Sequence, residues 1–179
     1  MLDAVKYAAY GDTVFNKSSE SKGSRTLSSY TRGLLDATAG TYMRPAERVP
    51  NVYSHIVLEF WDDVAEKPFL LGTVIETGAS SNCQTYRYVM DRTAMEQMEH
   101  TYTENGVTMP CSASFLQKKY KLVLMNREQG LPKFLQMTGL KLNLGQLPTY
   151  LRKLRGIMSY DPNAKIDRFI RESVLEERS

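Results

Sequence analysis

The chain has 179 residues, with a hydrophobic fraction of 42% and a charged fraction of 24%. Both fractions are ordinary for globular proteins, so they exclude disorder of the whole chain and predict one packed domain. The net charge of +3 at pH 7 points to no class of partner, and the distribution of charge along the chain is therefore the more informative property.

The N-terminal part of the chain, residues 1–50, is interpreted as an arm. Residues 2–10 can form a short helix. Residues 16–32 contain six serines and four basic residues, a composition typical of a flexible, solvated loop. Residues 40–50 contain two prolines and predict an extended connector. A single α+β core domain is predicted to span residues 51–179.

Three strands are predicted at the start of the core domain. Residues 52–60 alternate between apolar and polar side chains, which predicts a half-buried strand. Residues 69–76 are apolar on both faces, which indicates a central strand. Residues 84–90 form the third strand, with Tyr86 and Tyr88 on one side. The short connections favour an antiparallel meander.

The hydrophobic period changes after the third strand. Asp91 can cap a helix that ends before Gly106. Met95, Met98 and Tyr102 fall on one face of this helix. We therefore predict one helix inserted between the third and fourth strands.

The rest of the chain predicts a fourth strand and two helices. The strand is expected at residues 120–126. Residues 147–158 carry an apolar stripe at helical spacing, and a second helix is expected from Asp161, with Pro162 in its first position. The predicted fold class is α+β, with a four-to-five-stranded, mainly antiparallel sheet, one inserted helix and two C-terminal helices.

Positive charge is concentrated between residues 118 and 155. This segment holds nine basic residues and one acid, so its net charge of +8 exceeds that of the whole chain. Such a segment attracts nucleic acid, an anionic membrane surface or an acidic protein. An ordinary solvated face is the alternative interpretation. The predicted anion-binding residues are Lys118, Lys119, Lys121, Arg127, Lys133, Lys141, Arg152, Lys153 and Arg155.

The charge also changes sign along the chain. Residues 61–110 carry a net charge of −5, and residues 111–179 carry +7. Opposite charges on one molecule can hold copies together as readily as they hold a foreign polyanion. The uncharged residues 106–116 are suited to contact with a partner or a second copy. We therefore predict a homo-oligomer.

Nucleic acid is an alternative partner. Tyr86 and Tyr88 flank Arg87, and exposed aromatic residues interleaved with arginine can stack unpaired bases. The two tyrosines share the predicted core side of their strand, so packing is the favoured interpretation. No sequence motif of the common nucleic-acid-binding folds occurs. Binding to single-stranded DNA or RNA, or to a nucleoprotein, would therefore rest mainly on charge.

Motifs for catalysis are absent from the sequence. His55 and His100 form no local signature with a cysteine, and no phosphate-binding loop, nucleophile elbow or zinc-protease motif occurs. The acids Glu59, Asp62 and Glu76 are distributed along a strand, a turn and the next strand. Carboxylates in that layout can bind Mg²⁺ for phosphodiester hydrolysis. A metal-dependent nuclease is therefore a remote alternative. We predict no catalytic residue, no metal site and no cofactor.

Cysteine content and apolar runs predict the compartment. Cys83 and Cys111 are too few for a disulfide framework and are expected to be reduced. A thiolate activated by a histidine is a minor alternative. Residues 1–10 lack the pattern of a secretory leader, and no apolar run reaches the roughly 18 residues of a membrane span. We expect a protein that is not secreted, is cytoplasmic or virion-associated, has no transmembrane segment and contacts anionic membranes only peripherally.

These features together predict a non-enzymatic structural or assembly protein. A small chain with an arm, a charge split and no catalytic motif fits the type of protein associated with a viral matrix or capsid. Such a protein would self-associate and bind an anionic target through its basic C-terminal half. The alternative is a protein that binds single-stranded DNA or RNA.

Overall fold

The computed structural model describes residues 2–15 and 26–158. Its helices are α1 (Leu2–Tyr10), α2 (Leu27–Arg32), α3 (Ala113–Tyr120), α4 (Arg127–Met137) and α5 (Leu147–Met158). Its strands are β1 (Leu34–Asp36), β2 (Thr41–Tyr42), β3 (Val52–Asp62), β4 (Lys67–Thr77), β5 (Cys83–Asp91), β6 (Thr101–Glu104) and β7 (Val107–Pro110). All strand pairs are antiparallel. The predicted α+β class is confirmed. None of the described helices has the length and apolarity that a membrane span requires.

The main sheet has the order β3-β4-β5, and β4 lies at its centre. Residues 69–75 of β4 are buried on both faces, as the apolar sequence of this strand predicts. Gly72 is required at the middle of β4, because the ring of Tyr88 lies 1.9 Å from the position that a Cβ atom would occupy. The aromatic ring thus fills the space that the glycine leaves, and any larger residue would overpack the core.

Helices cover both faces of the main sheet. On one face, which we call the α3 side, Leu70 and Val74 pack with Leu116 of α3. On the other face, which we call the α4 side, Leu71 packs with Phe134 of α4. Because β-strand side chains alternate between faces, the consecutive apolar residues of β4 supply both cores. The sheet is therefore the middle of three layers.

Helix α5 packs on α4 and so adds a further helix to the α4 side. The apolar stripe predicted for residues 147–158 is confirmed at Leu147 and Leu151, which are buried against Leu131 and Leu135 of α4. The second predicted C-terminal helix, from Asp161 onward, lies outside the described residues.

The helix predicted from Asp91 is wrong. Residues 95–97 form a single 3₁₀ turn, and β6 and β7 follow as a hairpin. Asn105 and Gly106 both have positive φ, at 49° and 77°, as a tight two-residue hairpin turn requires. Asn105-Gly106 is therefore a hairpin turn and not the end of a helix.

The strand predicted at residues 120–126 makes one β-bridge only. Tyr120 ends α3, and Lys121 follows with a φ of 54°. The backbone of Met125 then exchanges two hydrogen bonds with that of Arg87, of 2.9 and 2.8 Å. The chain in this way passes along the edge of β5 from the α3 side to the α4 side. Helix α4, for which the sequence pattern predicts no element, begins immediately afterwards.

The N-terminal residues that the structure describes pack against the sheet. Tyr7 of α1 and Phe15 form a buried cluster with Ile75. Residues 26–32, predicted as part of a solvated loop, instead contain α2, in which Arg32 is only 2% exposed. The remainder of the predicted loop, residues 16–25, lies outside the described residues. The buried arginine explains the difference, since it anchors α2 to the neighbouring backbone.

Candidate functional site

The predicted anion-binding residues lie on three helices and their connections. Lys118 and Lys119 form the last turn of α3, and Lys121 follows it; we call these three the α3 lysines. The other six, which we call the α4–α5 bases, are Arg127 and Lys133 on α4, Lys141 in the following loop, and Arg152, Lys153 and Arg155 on α5. Seven of the nine are exposed, and Lys153 and Arg155 are half-buried.

The sheet separates these two groups of bases. Helix α3 packs on the α3 side through Ala113 and Leu116. Helix α4 packs on the α4 side through Phe134, and α5 is attached to α4. The nine bases therefore occupy two layers instead of one continuous helical face. The segment after Lys121 connects them along the β5 edge.

Within the part of the chain that the structure describes, ion pairs hold two of the nine bases. Arg155 binds Asp12 through both Nε, at 3.0 Å from Oδ2, and a second nitrogen. Burial favours the neutral form of Asp12, but hydrogen bonds from Arg155 and from the Val14 backbone hold the pKa of this carboxyl below its usual value. Lys119 binds Glu99 at 2.8 Å. Arg155 thus fixes α5 to the segment after α1 and is not presented to a ligand.

Within the α4–α5 bases, Lys141 lines a shallow cavity of about 530 Å³. Pro132 and Gln136 of α4 also line this cavity. Lys133 and Arg152 stand exposed on the two helices that meet at this end of the molecule. The α4–α5 bases thus offer solvent-exposed cations and a concave region.

An exposed apolar surface lies beside the α3 lysines. Tyr102 stacks on Phe115 of α3, with ring centroids 5.4 Å apart. Met109 is the cross-strand partner of Tyr102, and Val107 lies on the same face of the hairpin. These four residues, which we call the hairpin surface, are 37%, 40%, 42% and 57% exposed in that order. Lys118 follows Phe115 by one helical turn, so positive charge borders the aromatic pair.

The two histidines lie together at the base of the hairpin, where His100 precedes β6 and Cys111 follows β7. Their ring centroids are 5.3 Å apart. His55 Nε2 donates to the carbonyl oxygen of Cys111 at 2.7 Å, and His100 Nε2 pairs with the hydroxyl of Tyr88 at 2.9 Å. Burial lowers the pKa of His55, against opposing effects of the Cys111 carbonyl and Glu76. Burial and the neighbouring His55 lower the pKa of His100.

Acidification is expected to loosen this region. Because both histidine pKa values lie below 6.5 in the fold, the unfolded chain binds protons first and the folded state loses stability as pH falls below about 6.5. The urea midpoint should therefore decrease between about pH 7.5 and about pH 5.5. A His55→Gln/His100→Gln variant should show a smaller decrease. An unchanged pH dependence in that variant would contradict the assignment.

The candidate catalytic groups do not converge. Glu59 accepts from the Met95 N–H, whereas Glu76 accepts from the Ala113 N–H at 2.9 Å. Glu59 pairs with Leu70 in the strand register, so six residues, or about 20 Å, separate the two carboxylates along the sheet. Residues 2–15 and 26–158 contain no group of three His, Cys, Asp or Glu side chains that could hold a metal ion.

Packing accounts for the Cys111 thiol and for the two tyrosines of β5. Cys111 is buried, and burial raises the pKa of its thiol, which is the opposite of what a nucleophile requires. Tyr88 is 0% exposed, and Tyr86 packs against the same core. The favoured prediction of packing for these tyrosines is confirmed. Tyr102 and Phe115, predicted on a helix face and in the uncharged segment 106–116, instead form an exposed aromatic pair.

Comparison with known proteins assigns the chain to no family. No protein-family model matches the chain, and no match was found among curated proteins or solved structures.

Proposed function

We propose that this protein is a non-enzymatic assembly protein, of the type associated with a viral matrix or capsid. It self-associates and binds an anionic target through its basic C-terminal half. The observation that carries the proposal is the exposure of positive charge on α3, α4 and α5, where seven of nine basic side chains are exposed. Exposed cations at this density favour contact with phosphate groups of a membrane surface or a nucleic acid.

The bases that form ion pairs and the bases that are exposed have different roles in this proposal. Arg155 stabilises the fold through Asp12, and Lys119 is paired with Glu99. Lys118 is exposed one helical turn from Phe115, and Lys121 is exposed at the end of α3. We assign these two residues to the first contact with the anionic target. The α4–α5 bases extend the contact around the β5 edge of the sheet.

Single-stranded nucleic acid is the second candidate target. It is favoured by the exposed Tyr102–Phe115 pair beside Lys118, because aromatic rings next to cations form a platform for unpaired bases. In that case, loss of the Phe115 ring would weaken RNA binding. For a membrane surface, the lysines alone determine the electrostatic part of the affinity.

The proposal is tested by neutralising the α3 lysines. A Lys118→Gln/Lys121→Gln variant should bind phosphatidylserine vesicles about 30-fold more weakly than the wild type, since each lysine near an anionic surface contributes about 1 kcal/mol. The matched control is Arg48→Gln/Arg92→Gln, which removes two exposed charges from other parts of the molecule. Affinity is measured by co-sedimentation with vesicles and, in a parallel arm, by gel shift with poly(U).

The two arms separate the targets. Loss of vesicle binding without measurable RNA binding supports a membrane target, and the reverse supports nucleic acid. If both variants bind as strongly as the wild type in both arms, the α3 lysines are not the contact, and the proposal for this surface fails.

A further inference from the structure

The β6–β7 hairpin combines an apolar face with unpaired strand edges. Tyr102, Val107 and Met109 lie on one face of it, and together with Phe115 they form the hairpin surface. Within the described residues, β6 and β7 pair only with each other. Two-stranded sheets are marginally stable in water by themselves, so a hairpin of this kind gains most from a further strand or a covering surface.

The hairpin has only part of the protection that usually prevents edge pairing, namely its short strands and a terminal proline. Natural edge strands are protected by inward-pointing charges, lysines, prolines or bulges. Here β6 and β7 pair in continuous register, and Glu104 is the one charged residue between residues 101 and 117. Pro110 stands at the end of β7 and leaves residues 107–109 able to pair.

The charge of this surface favours a second copy of the chain as the occupant. Contact around a two-fold axis places the same patch of both copies together, so a charged patch would repel itself. The face of the hairpin that carries this surface has one charged residue, Glu104, the cross-strand partner of Val107 near the tip. When two hairpins lie antiparallel, their Glu104 side chains are at opposite ends of the contact and do not repel each other. Lys118 borders the surface on α3, one helical turn after Phe115.

We propose that two copies of this chain associate through their hairpin surfaces, with β6–β7 edges paired antiparallel across a two-fold axis. The inference rests on the proposed assembly function and names the partner and the surface. In this arrangement the tip of each hairpin points toward the base of the other. Glu104, beside the tip, then lies near α3 of the second copy, where Lys118 supplies the opposite charge.

The experiment places a charge in the expected interface. Val107→Lys should raise the dissociation constant of the oligomer at least about tenfold, because the ammonium group must lose its hydration in the interface even beside its cross-strand neighbour Glu104. Val64→Lys is the matched control, since Val64 is a valine in the β3–β4 turn that is 97% exposed. Met109→Glu introduces the opposite charge and should have the same effect. Sedimentation velocity over a concentration series measures association, and circular dichroism confirms folding.

Each outcome has a distinct meaning. Weaker association of Val107→Lys and Met109→Glu, with Val64→Lys unchanged, supports the hairpin interface. Unchanged association of the two hairpin variants overturns this interface while leaving the proposed assembly function intact. A wild-type chain that stays monomeric throughout overturns both. If Phe115→Ala loses affinity for poly(U) but not for a second copy, the surface binds bases instead.

Discussion

Replacing Arg32 with alanine is expected to lower the free energy of unfolding by about 4 kcal/mol. The Arg32 guanidinium is buried and donates to the carbonyl oxygens of Arg44, Val49, Pro50 and Gly78, at distances of 2.8 to 2.9 Å. An unsatisfied buried carbonyl costs roughly 1–3 kcal/mol, and water can solvate only part of the set once the side chain is removed. Arg32 therefore joins α2, the following connector and the β4–β5 turn.

Urea unfolding measures this effect against two further variants. Arg48→Ala, which removes an exposed arginine of the same connector, should change stability by no more than about 0.5 kcal/mol. Arg32→Lys should recover little, because an ammonium group cannot reproduce the planar arrangement of donors. A wild-type urea midpoint in Arg32→Ala would show that these four hydrogen bonds do not stabilise the fold.

Replacing Arg87 with alanine is expected to cost about 3 kcal/mol. Its Nε and Nη2 donate to the carbonyl oxygens of Ala8 and Tyr7, at 3.2 and 2.9 Å, near the C-terminal end of α1. A cation at this end of a helix also interacts favourably with the helix dipole. The stem of Arg87 lies against Gly130 of α4, where an added Cβ atom would be 2.8 Å away. One side chain of β5 thus positions both α1 and α4.

Two controls separate hydrogen bonding from volume. Arg87→Met fills most of the space without donating, so it should be nearly as destabilised as Arg87→Ala if hydrogen bonds dominate. Arg92→Ala removes an arginine whose side chain is 76% exposed and should be close to the wild type. Equal urea midpoints for Arg87→Ala and Arg92→Ala would contradict the anchoring role.

Local patterns predict the elements whose packing is set by their own sequence. The apolar residues of β4 on both faces indicate a central strand, and the stripe of α5 indicates its buried side. Both predictions are confirmed. The start of α4 also has a local signal, since Asn126 and Gln129 form a capping box. Gly130 and Pro132 obscured it, because both residues are unfavourable inside helices.

Long-range contacts determine what local patterns do not show. The spacing of Met95, Met98 and Tyr102 fits a helix, yet residues 101–110 form a hairpin whose Tyr102 packs on Phe115 of α3. The two anchoring arginines are likewise invisible in sequence, because their carbonyl partners lie up to 80 positions away along the chain.

For the candidate site, the sequence predicts which residues are basic but not how the fold distributes them. Most of the nine bases are exposed, as a surface for an anion requires. Their division between α3 and the α4–α5 pair depends on the passage of the chain along β5. The partner of Arg155 is Asp12, 143 positions away, so its structural role cannot be inferred from the charge pattern alone.

The central claim, contact of the basic surface with an anionic target, is tested most directly by the salt dependence of binding. Wild-type chain is titrated with phosphatidylserine vesicles and with poly(U) while the salt concentration is raised from about 50 mM. We predict binding to at least one of them at low salt, with the affinity falling steadily as salt increases and with a smaller slope for Lys118→Gln/Lys121→Gln. The absence of binding to either target at about 50 mM salt would contradict the proposed function.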